Sequence, residues 1–276
     1  MLLLIFVTAY PIYYVLIASI SNPVELSLNT QALLKPLAPY TLSAYETVLD
    51  NPMIGRGYLN TLFILVVGLC FNLTLTVMGA YFLSLKNIYF KTPITFLIIF
   101  TMYFNGGLVP TYLNIRDLGL FDSLWSLVIP TALSTTNLII MKTAFQSIPD
   151  SLVESGRLDG ASHFTILFKI MLPLAVPTLM VMVLYYGVGH WNAWFNASIY
   201  LQTRDKFPLQ LVLRNILLAT QASGDMMGGI DTDEMAQMAE LIKYALIVVA
   251  TFPILCVYPF LQKYFVKGVM VGAIKG

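Results

Sequence analysis

Amide, hydroxyl and aromatic side chains recur at helical spacing within an apolar stretch at residues 182–200. They fall on two adjacent faces of one helix: Tyr185, Gly189, Asn192 and Asn196 on the first, Tyr186, His190 and Trp194 on the second. A second polar group, Ser134 to Asn137, lies in an earlier apolar stretch. Amides, hydroxyls and aromatic faces together can bind a polar solute. The candidates for a substrate path are therefore Tyr185, Tyr186, His190, Asn192, Trp194, Asn196 and Asn137.

Two structural explanations of the same residues stay open. Trp and Tyr near the outer end of a membrane span serve as interface anchors, and hydroxyl groups can simply bond one helix to another. If these residues line a substrate path, the opposite face of the helix, including Ala193 and Ile199, is expected to lie in packing or lipid.

Patterns for catalysis, metal binding or nucleotide binding are missing from the sequence. The two histidines, His163 and His190, form no His-Glu-x-x-His pattern, and no Cys/His cluster has metal-ligand spacing. No Gly-rich run ends in Gly-Lys-Ser/Thr, and no Gly-x-Ser-x-Gly occurs. We therefore expect a chain without catalytic residues, metal or cofactor of its own. Cys70 and Cys256 lie in apolar runs and are predicted to be buried apolar side chains.

The composition indicates that the elements holding these residues are membrane helices. Of 276 residues, 58% are hydrophobic and only 11% are charged, whereas a soluble domain carries about 25% charged residues. Six charge-free windows each fit one membrane-spanning helix of about 20 residues. The predicted protein is an all-α membrane domain of residues 1–276, with spans at 1–20, 59–85, 93–113, 123–142, 173–200 and 243–262.

Lys and Arg residues predict that both termini are cytoplasmic. With that orientation the inner segments hold eight Lys/Arg in 51 residues, and the outer segments hold seven in 93. Met1 opens directly onto an apolar run without a cleavage site, so we expect a retained helix; the sequence leaves open whether a basic leader precedes it. Prolines within spans, Pro11, Pro130, Pro177 and Pro253, are expected to kink helices or to act as hinges.

The cytoplasmic loop 143–172 is predicted to form two short helices. Ser147 is expected to cap the first helix, with Pro149 and Asp150 in its first turn. Residues 159–161 should break this helix, because Gly160 can adopt positive φ. Ser162 is expected to cap a second helix that continues through residue 170, and Pro173 is expected to open the fifth span.

Residues 154–162, Glu-Ser-Gly-Arg-Leu-Asp-Gly-Ala-Ser, followed by Ile-Met-Leu-Pro at 170–173, resemble the EAA motif of ABC-importer permeases. Ser155 and Gly156 stand where two alanines are usual. The segments 57–61, 106–112, 189–192, 207–211 and 267–270 are similar to carbohydrate-importer permeases of the maltose-transporter type, in the complex-oligosaccharide subgroup. The resemblance covers essentially the whole chain.

The resemblance implies the type I importer permease fold in a bacterial cytoplasmic membrane. It implies a heterodimer with a second homologous permease, two cytoplasmic ATPases that use ATP and Mg, and an extracytoplasmic sugar-binding protein, with no nucleic acid as partner. The EAA loop would contact the ATPase and transmit its closure. Its coupling residues would be Glu154, Gly156, Arg157, Asp159, Gly160 and Ala161.

The outer loop 201–242 is a candidate docking surface for the binding protein or a solvated loop. It carries the cations Arg204, Lys206 and Arg214 and the acidic residues Asp231, Asp233 and Glu234. The cations would suit an acidic oligosaccharide such as an alginate or pectin fragment.

There are two alternatives to an importer subunit: a secondary transporter or channel, and a membrane enzyme. A secondary transporter or channel would be expected to hold ion-coordinating or charged residues within its spans, and the only ionisable group of that kind here is His190. A membrane enzyme would need an acid or nucleophile partner for His190, and the sequence identifies none.

Overall fold

The computed structural model describes the backbone of residues 1–29, 33–86, 88–226 and 232–273. Within these ranges it describes all side chains except those at 2–3, 220–226, 232–236, 261 and 263–273. The described part of the chain is all-helical and contains no strand. Its α-helices are α1 Leu2–Ala18, α2 Pro23–Leu28, α3 Ser43–Leu49, α4 Pro52–Ser84, α5 Lys91–Tyr103, α6 Leu108–Asp117, α7 Trp125–Val128, α8 Thr135–Gln146, α9 Asp150–Leu158, α10 His163–Ile166, α11 Leu172–Leu174, α12 Val176–Trp191, α13 Trp194–Tyr200, α14 Leu209–Met226 and α15 Thr232–Ala273. A π-helical turn, Leu167–Met171, joins α10 to α11, and a 3₁₀ turn, Arg204–Lys206, precedes α14.

Two helices are long and apolar enough to cross a membrane alone: α4, and residues Gln237–Phe260 of α15. Two further crossings are possible if each of two bent helix pairs forms one span, which gives two to four spans among the described residues. Helix α1 and the apolar part of α14 are shorter. The all-α membrane class is therefore supported, and the count of six spans stays a prediction.

The bend of the first pair lies inside the predicted span 93–113. There the axes of α5 and α6 differ in direction by 112°. The connection contains Asn105, whose Oδ1 accepts a hydrogen bond from the N–H of Gly107 at 2.8 Å. Gly107 has φ of +85°, a conformation that a residue with a side chain rarely adopts. The chain therefore turns sharply at a place where the sequence contains no charge.

The second bent pair joins residues His163–Leu174 to α12 at 84°. Pro177 lies in the first turn of α12, where its missing N–H costs nothing. In a continuous helix its ring would clash with the carbonyl of residue 173, and no bond to that carbonyl could form. Pro173 lies in α11, three residues before α12 begins. Where the fifth span starts stays a prediction.

The chain divides into two compact units. The first comprises residues 1–60 and 203–257. In this unit Asn60 Nδ2 donates to the carbonyls of Asp205 at 2.7 Å and Phe207 at 3.0 Å, which attaches the segment before α14 to α4. Gly57 of α4 permits the start of α14 to lie close, because a Cβ at position 57 would lie only 3.1 Å from the Cα of Leu209.

The second unit comprises residues 61–202 and 258–276. Within it α5 packs on α8, α8 packs on α12, and α7 packs on α13. Its buried core joins α4, α8 and the α10 region through Val77, Ala80, Tyr81, Leu83, Leu138, Met141, Phe145, Ile166, Leu167, Met171 and Ala175. No side chain of α5 is fully buried, although Ile94 and Ile98 pack against this core. Cys70 is exposed, as is Cys256 of the first unit. The prediction that these cysteines are buried within the chain is therefore wrong, because these parts of the helices face outward from it.

Candidate functional site

A pocket of about 700 Å³ with a mixed polar and apolar lining lies in the second unit. It is formed by α12, the start of α13, the non-helical segment 129–134, and residues of the flanking helices α7 and α8. It brings together seven polar or aromatic residues of the predicted path and its neighbourhood: Ser134, Asn137, Tyr185, Tyr186, His190, Asn192 and Asn196. The remaining lining residues are Leu127, Pro130, Thr131, Leu133, Gly189, Ala193 and Phe195.

Two residues of the predicted helix lie elsewhere than expected. Trp194 does not line the pocket, and its ring packs edge-on against Phe195 with centroids 5.5 Å apart. Helical spacing predicts Ala193 on the opposite face, but Ala193 lines the pocket. The reason is a break between α12 and α13 at residues 192–193, where the N–H of Trp194 bonds to the carbonyl of Asn192 at 2.8 Å. Helical spacing does not continue across that break.

Two of the buried pocket residues, Tyr186 and His190, each have a polar side-chain atom bonded within the chain. His190 Nε2 lies 2.7 Å from Asn72 Oδ1, and Tyr186 Oη lies 2.8 Å from Thr76 Oγ1. Tyr185 differs from these two, because its side chain is 52% exposed and opens into the pocket. Tyr186 Oη and His190 Nε2 are therefore occupied by contacts within the chain.

Sequence reasoning missed the residues of α4 that support the pocket. Asn72 and Thr76 are completely buried, and a Cβ at Gly68 would lie only 2.5 Å from Nε2 of His190. These three residues follow one another at four-residue spacing, so they lie on one face of α4. A small or polar residue at every fourth position of an apolar helix was the signal that could have identified them.

The loop between α8 and α12 forms a helical hairpin from α9 and α10. Gly160 has φ of +76° between the two helices, and Ser162 Oγ accepts a hydrogen bond from the N–H of Thr165 at the start of α10, both as predicted. The predicted cap of α9 is wrong: Ser147 ends α8, since its N–H bonds to the carbonyl of Thr143, and α9 begins at Asp150.

Most predicted coupling residues lie on the exposed surface of this hairpin. Glu154, Arg157, Asp159 and Gly160 are exposed, and Ala161 is half-buried. Gly156 is buried, and a Cβ added there would lie 2.8 Å from Cδ1 of Ile170. Its lack of a side chain therefore lets α9 pack closely on the helical segment that follows α10.

Polar contacts fasten the hairpin to the end of α4. Tyr81 Oη lies 2.9 Å from His163 Nδ1, and Lys86 forms an ion pair with Asp150. The hydrogen bond to the Asp150 carboxylate raises the pKa of the exposed Lys86 ammonium above its usual value. Glu154 and Arg157 join Lys86 and Asp150 around a second pocket of about 330 Å³. The hairpin thus presents charged side chains to its surroundings while these contacts hold it against the end of α4.

The predicted outer loop is only partly described. Arg204 and Lys206 lie in the 3₁₀ turn, where Asp205 is 3.6 Å from Arg56, and Arg214 lies in α14. The acidic side chains of Asp231, Asp233 and Glu234 lie outside the described residues, as do the side chains of the family-like ending 267–270.

Residues 1–271 match the family described as "Binding-protein-dependent transport system inner membrane component". The chain belongs to this family and is a permease of the ABC-importer class. The permease is a transport subunit and is not itself catalytic. This membership does not favour a secondary transporter or channel.

Among its relatives is the polygalacturonan/rhamnogalacturonan transport system permease protein YtcP of Bacillus subtilis, 39% identical over 280 residues that cover 100% of this chain and 96% of the relative. Protein LplC of Bacillus subtilis is 38% identical over 273 residues, covering 98% of this chain and 90% of the relative. A crystal structure of a bacterial ABC transporter involved in the import of the acidic polysaccharide alginate contains a chain with a TM-score of 0.83 and 33% identity, covering 95% of this chain and 92% of that chain.

Proposed function

We propose that this chain forms, with a second homologous permease, the membrane path by which a bacterial ABC importer takes up an acidic oligosaccharide. The observation that carries the substrate class is that relatives across the whole chain are named for acidic polysaccharides: polygalacturonan and rhamnogalacturonan in one, alginate in another. The exposed cation Arg204 is consistent with this class.

The pocket in the second unit is the proposed place where the path touches the sugar. Tyr185, Asn192 and Asn196 supply a phenol and two amides, which can exchange hydrogen bonds with sugar hydroxyls as the solute passes. The rings of Tyr186 and His190 provide flat surfaces beside them. Among the described residues, no Asp, Glu, Lys or Arg side chain lines this pocket, so its contacts with a sugar would be hydrogen bonds and ring contacts.

The hairpin is the proposed contact for the ATPase. Its turn exposes apolar side chains next to charged ones: Leu158 is 89% exposed and Phe164 is 64% exposed, beside Glu154 and Arg157. Such a surface suits a partner that buries the apolar groups and pairs the charges. Glu154, Arg157 and Asp159 would form charge-assisted hydrogen bonds, and Gly156, Gly160 and Ala161 would keep the hairpin compact.

The proposed topology has six spans, both termini in the cytoplasm, and the hairpin on the cytoplasmic side. The density of Lys and Arg supports this orientation. The segment 201–242 would then lie outside, where it could meet a sugar-binding protein. ATP and Mg would be used only by the two ATPase subunits.

The test is transport by the complete importer, purified from native membrane through a tag on this chain and reconstituted with its binding protein. ATP hydrolysis should be stimulated by oligogalacturonate or alginate oligomers and not by neutral maltooligosaccharides of equal length. Equal stimulation by the neutral sugars would refute the acidic substrate class. Transport by this chain alone, without an ATPase or second permease, would refute the proposed assembly.

A further inference from the structure

The segment 129–134, one wall of the pocket, is not helical and is held by side chains of two other helices. The carbonyl of Thr131 accepts a hydrogen bond from Asn72 Nδ2 at 2.7 Å, and the N–H of Ser134 donates to Tyr186 Oη at 3.0 Å. Backbone groups within a membrane protein need such partners wherever a helix is interrupted. These two bonds therefore fix where the wall lies.

His190 fixes the orientation of the Asn72 amide. Its Nε2 lies 2.7 Å from Asn72 Oδ1, which leaves the amide Nδ2 directed at the carbonyl of Thr131. Only a glycine at position 68 allows the ring to approach, because a Cβ there would lie 2.5 Å from Nε2. The backbone of α4 cannot retreat easily, so this contact depends on Gly68.

Thr76 fixes Tyr186 in the same way. Its Oγ1 lies 2.8 Å from Tyr186 Oη, and both side chains are buried. The Tyr186 oxygen is thus shared between Thr76 and the backbone of Ser134. The four side chains of Asn72, Thr76, Tyr186 and His190 form one clamp, named here the α4–α12 clamp, on the wall of the pocket.

We propose that the α4–α12 clamp positions the wall 129–134, and that a sugar in the pocket hydrogen-bonds to Tyr185, Asn192 and Asn196 rather than to Tyr186 Oη and His190 Nε2. This inference rests on the proposed role of the pocket in sugar transport. Asn72, Thr76, Tyr186 and His190 are then positioning residues, and they set the affinity for the sugar through the shape of the pocket.

The wall can be probed directly with a cysteine at Leu133, which lines the pocket and is 46% exposed. The complete importer would carry Leu133→Cys without Cys70 and Cys256, and the rate of reaction with a water-soluble maleimide would be measured. Tyr186→Phe and Asn72→Ala should each change this rate by roughly fivefold, equivalent to about 1 kcal/mol. Tyr185→Phe, which removes a neighbouring hydroxyl outside the clamp, should leave the rate unchanged.

Transport kinetics separate positioning from direct contact. Tyr186→Phe should raise KM for the sugar with a smaller effect on the maximal rate. His190→Gln keeps an N–H that can reach Asn72 and should restore most of the affinity lost in His190→Ala. If His190→Gln is as defective as His190→Ala, the assigned role of His190 is wrong.

The labelling rate and the transport KM together also show whether a negative result counts against this inference or against the proposed function. Unchanged reactivity of the cysteine at position 133 in Tyr186→Phe would overturn the clamp, even if Asn72→Ala fails to assemble. Changed reactivity with unchanged KM would show that the wall is held as described but does not shape a sugar site, and would overturn the role of the pocket.

Discussion

Tyr81 and His163 join a membrane helix to the hairpin: Tyr81 Oη lies 2.9 Å from His163 Nδ1, and the two rings meet edge-on with centroids 6.1 Å apart. Tyr81 is almost fully buried near the end of α4, and His163 begins α10. This contact is a direct connection between the proposed ATPase-docking element and the helix that supports the pocket.

Tyr81→Phe should weaken the coupling between sugar binding and ATP hydrolysis. The ring remains in the core, so the loss is one partly buried hydrogen bond, worth about 1 kcal/mol. Stimulation of ATP hydrolysis by the sugar and its binding protein should fall, with assembly preserved. Tyr89→Phe is the control, because Tyr89 is 91% exposed. Equal stimulation in both variants would contradict a coupling role for this contact.

Glu154→Lys should weaken association with the ATPase without affecting insertion into the membrane. Glu154 is exposed beside Arg157 and Lys86, so the substitution replaces a negative charge with a third positive one. ATPase recovered with the tagged chain should fall by roughly tenfold, as expected for a reversed charge at an interface. Glu46→Lys makes the same charge change on α3 and should have no such effect. Full recovery in Glu154→Lys would place the ATPase contact elsewhere.

Gly156→Ala should stabilise the hairpin or leave it unchanged. Alanine improves helix propensity by about 1 kcal/mol, and the atom that its Cβ would meet, Ile170 Cδ1, is the end of a flexible side chain. Gly156→Leu should be destabilising, because movement of one methyl group cannot accommodate it. Thermal unfolding of the purified importer measures both. If Gly156→Ala is destabilising and Ile170→Val does not restore stability, the packing described here is incorrect.

Asn192→Leu and Asn196→Leu should reduce transport with expression unchanged, since each removes a hydrogen-bonding group from the pocket and makes the helix more apolar. Ser198→Leu is the control, because Ser198 is exposed on α13 outside the pocket. Cysteine scanning from 182 to 200, without Cys70 and Cys256, should find reactive positions at 185, 189, 192, 193 and 196. Wild-type transport in both asparagine variants, with loss of stability in Trp194 variants, would favour the interface-anchor explanation.

The hairpin could be predicted in most of its detail because its signals are local. Gly160 and Ser162 act within a few residues of their own positions, and both behave as predicted. Ser147 shows the limit of such signals, since a serine before Pro149 can end one helix as readily as it begins the next. Its N–H bonds back to α8, and only the folded chain shows this.

The helix breaks and the clamp could not be predicted from charge and periodicity. A charge-free window shows that a stretch can enter a membrane, but it does not show that Asn105 and Gly107 turn the chain inside it. Asn72 was not singled out because its partners, His190 and Thr131, are 118 and 59 residues away in sequence. Its role depends on which helices meet, and this is a property of tertiary packing.

One helix, α4, bears both the clamp residue Asn72 and the hairpin contact Tyr81. Nine residues separate them, which is about 14 Å along a helix. In the proposed mechanism, a movement of α4 that follows closure of the ATPases would therefore displace Asn72 and the pocket wall directly. The hairpin and the proposed sugar pocket could then be coupled without a rearrangement of the loops between them.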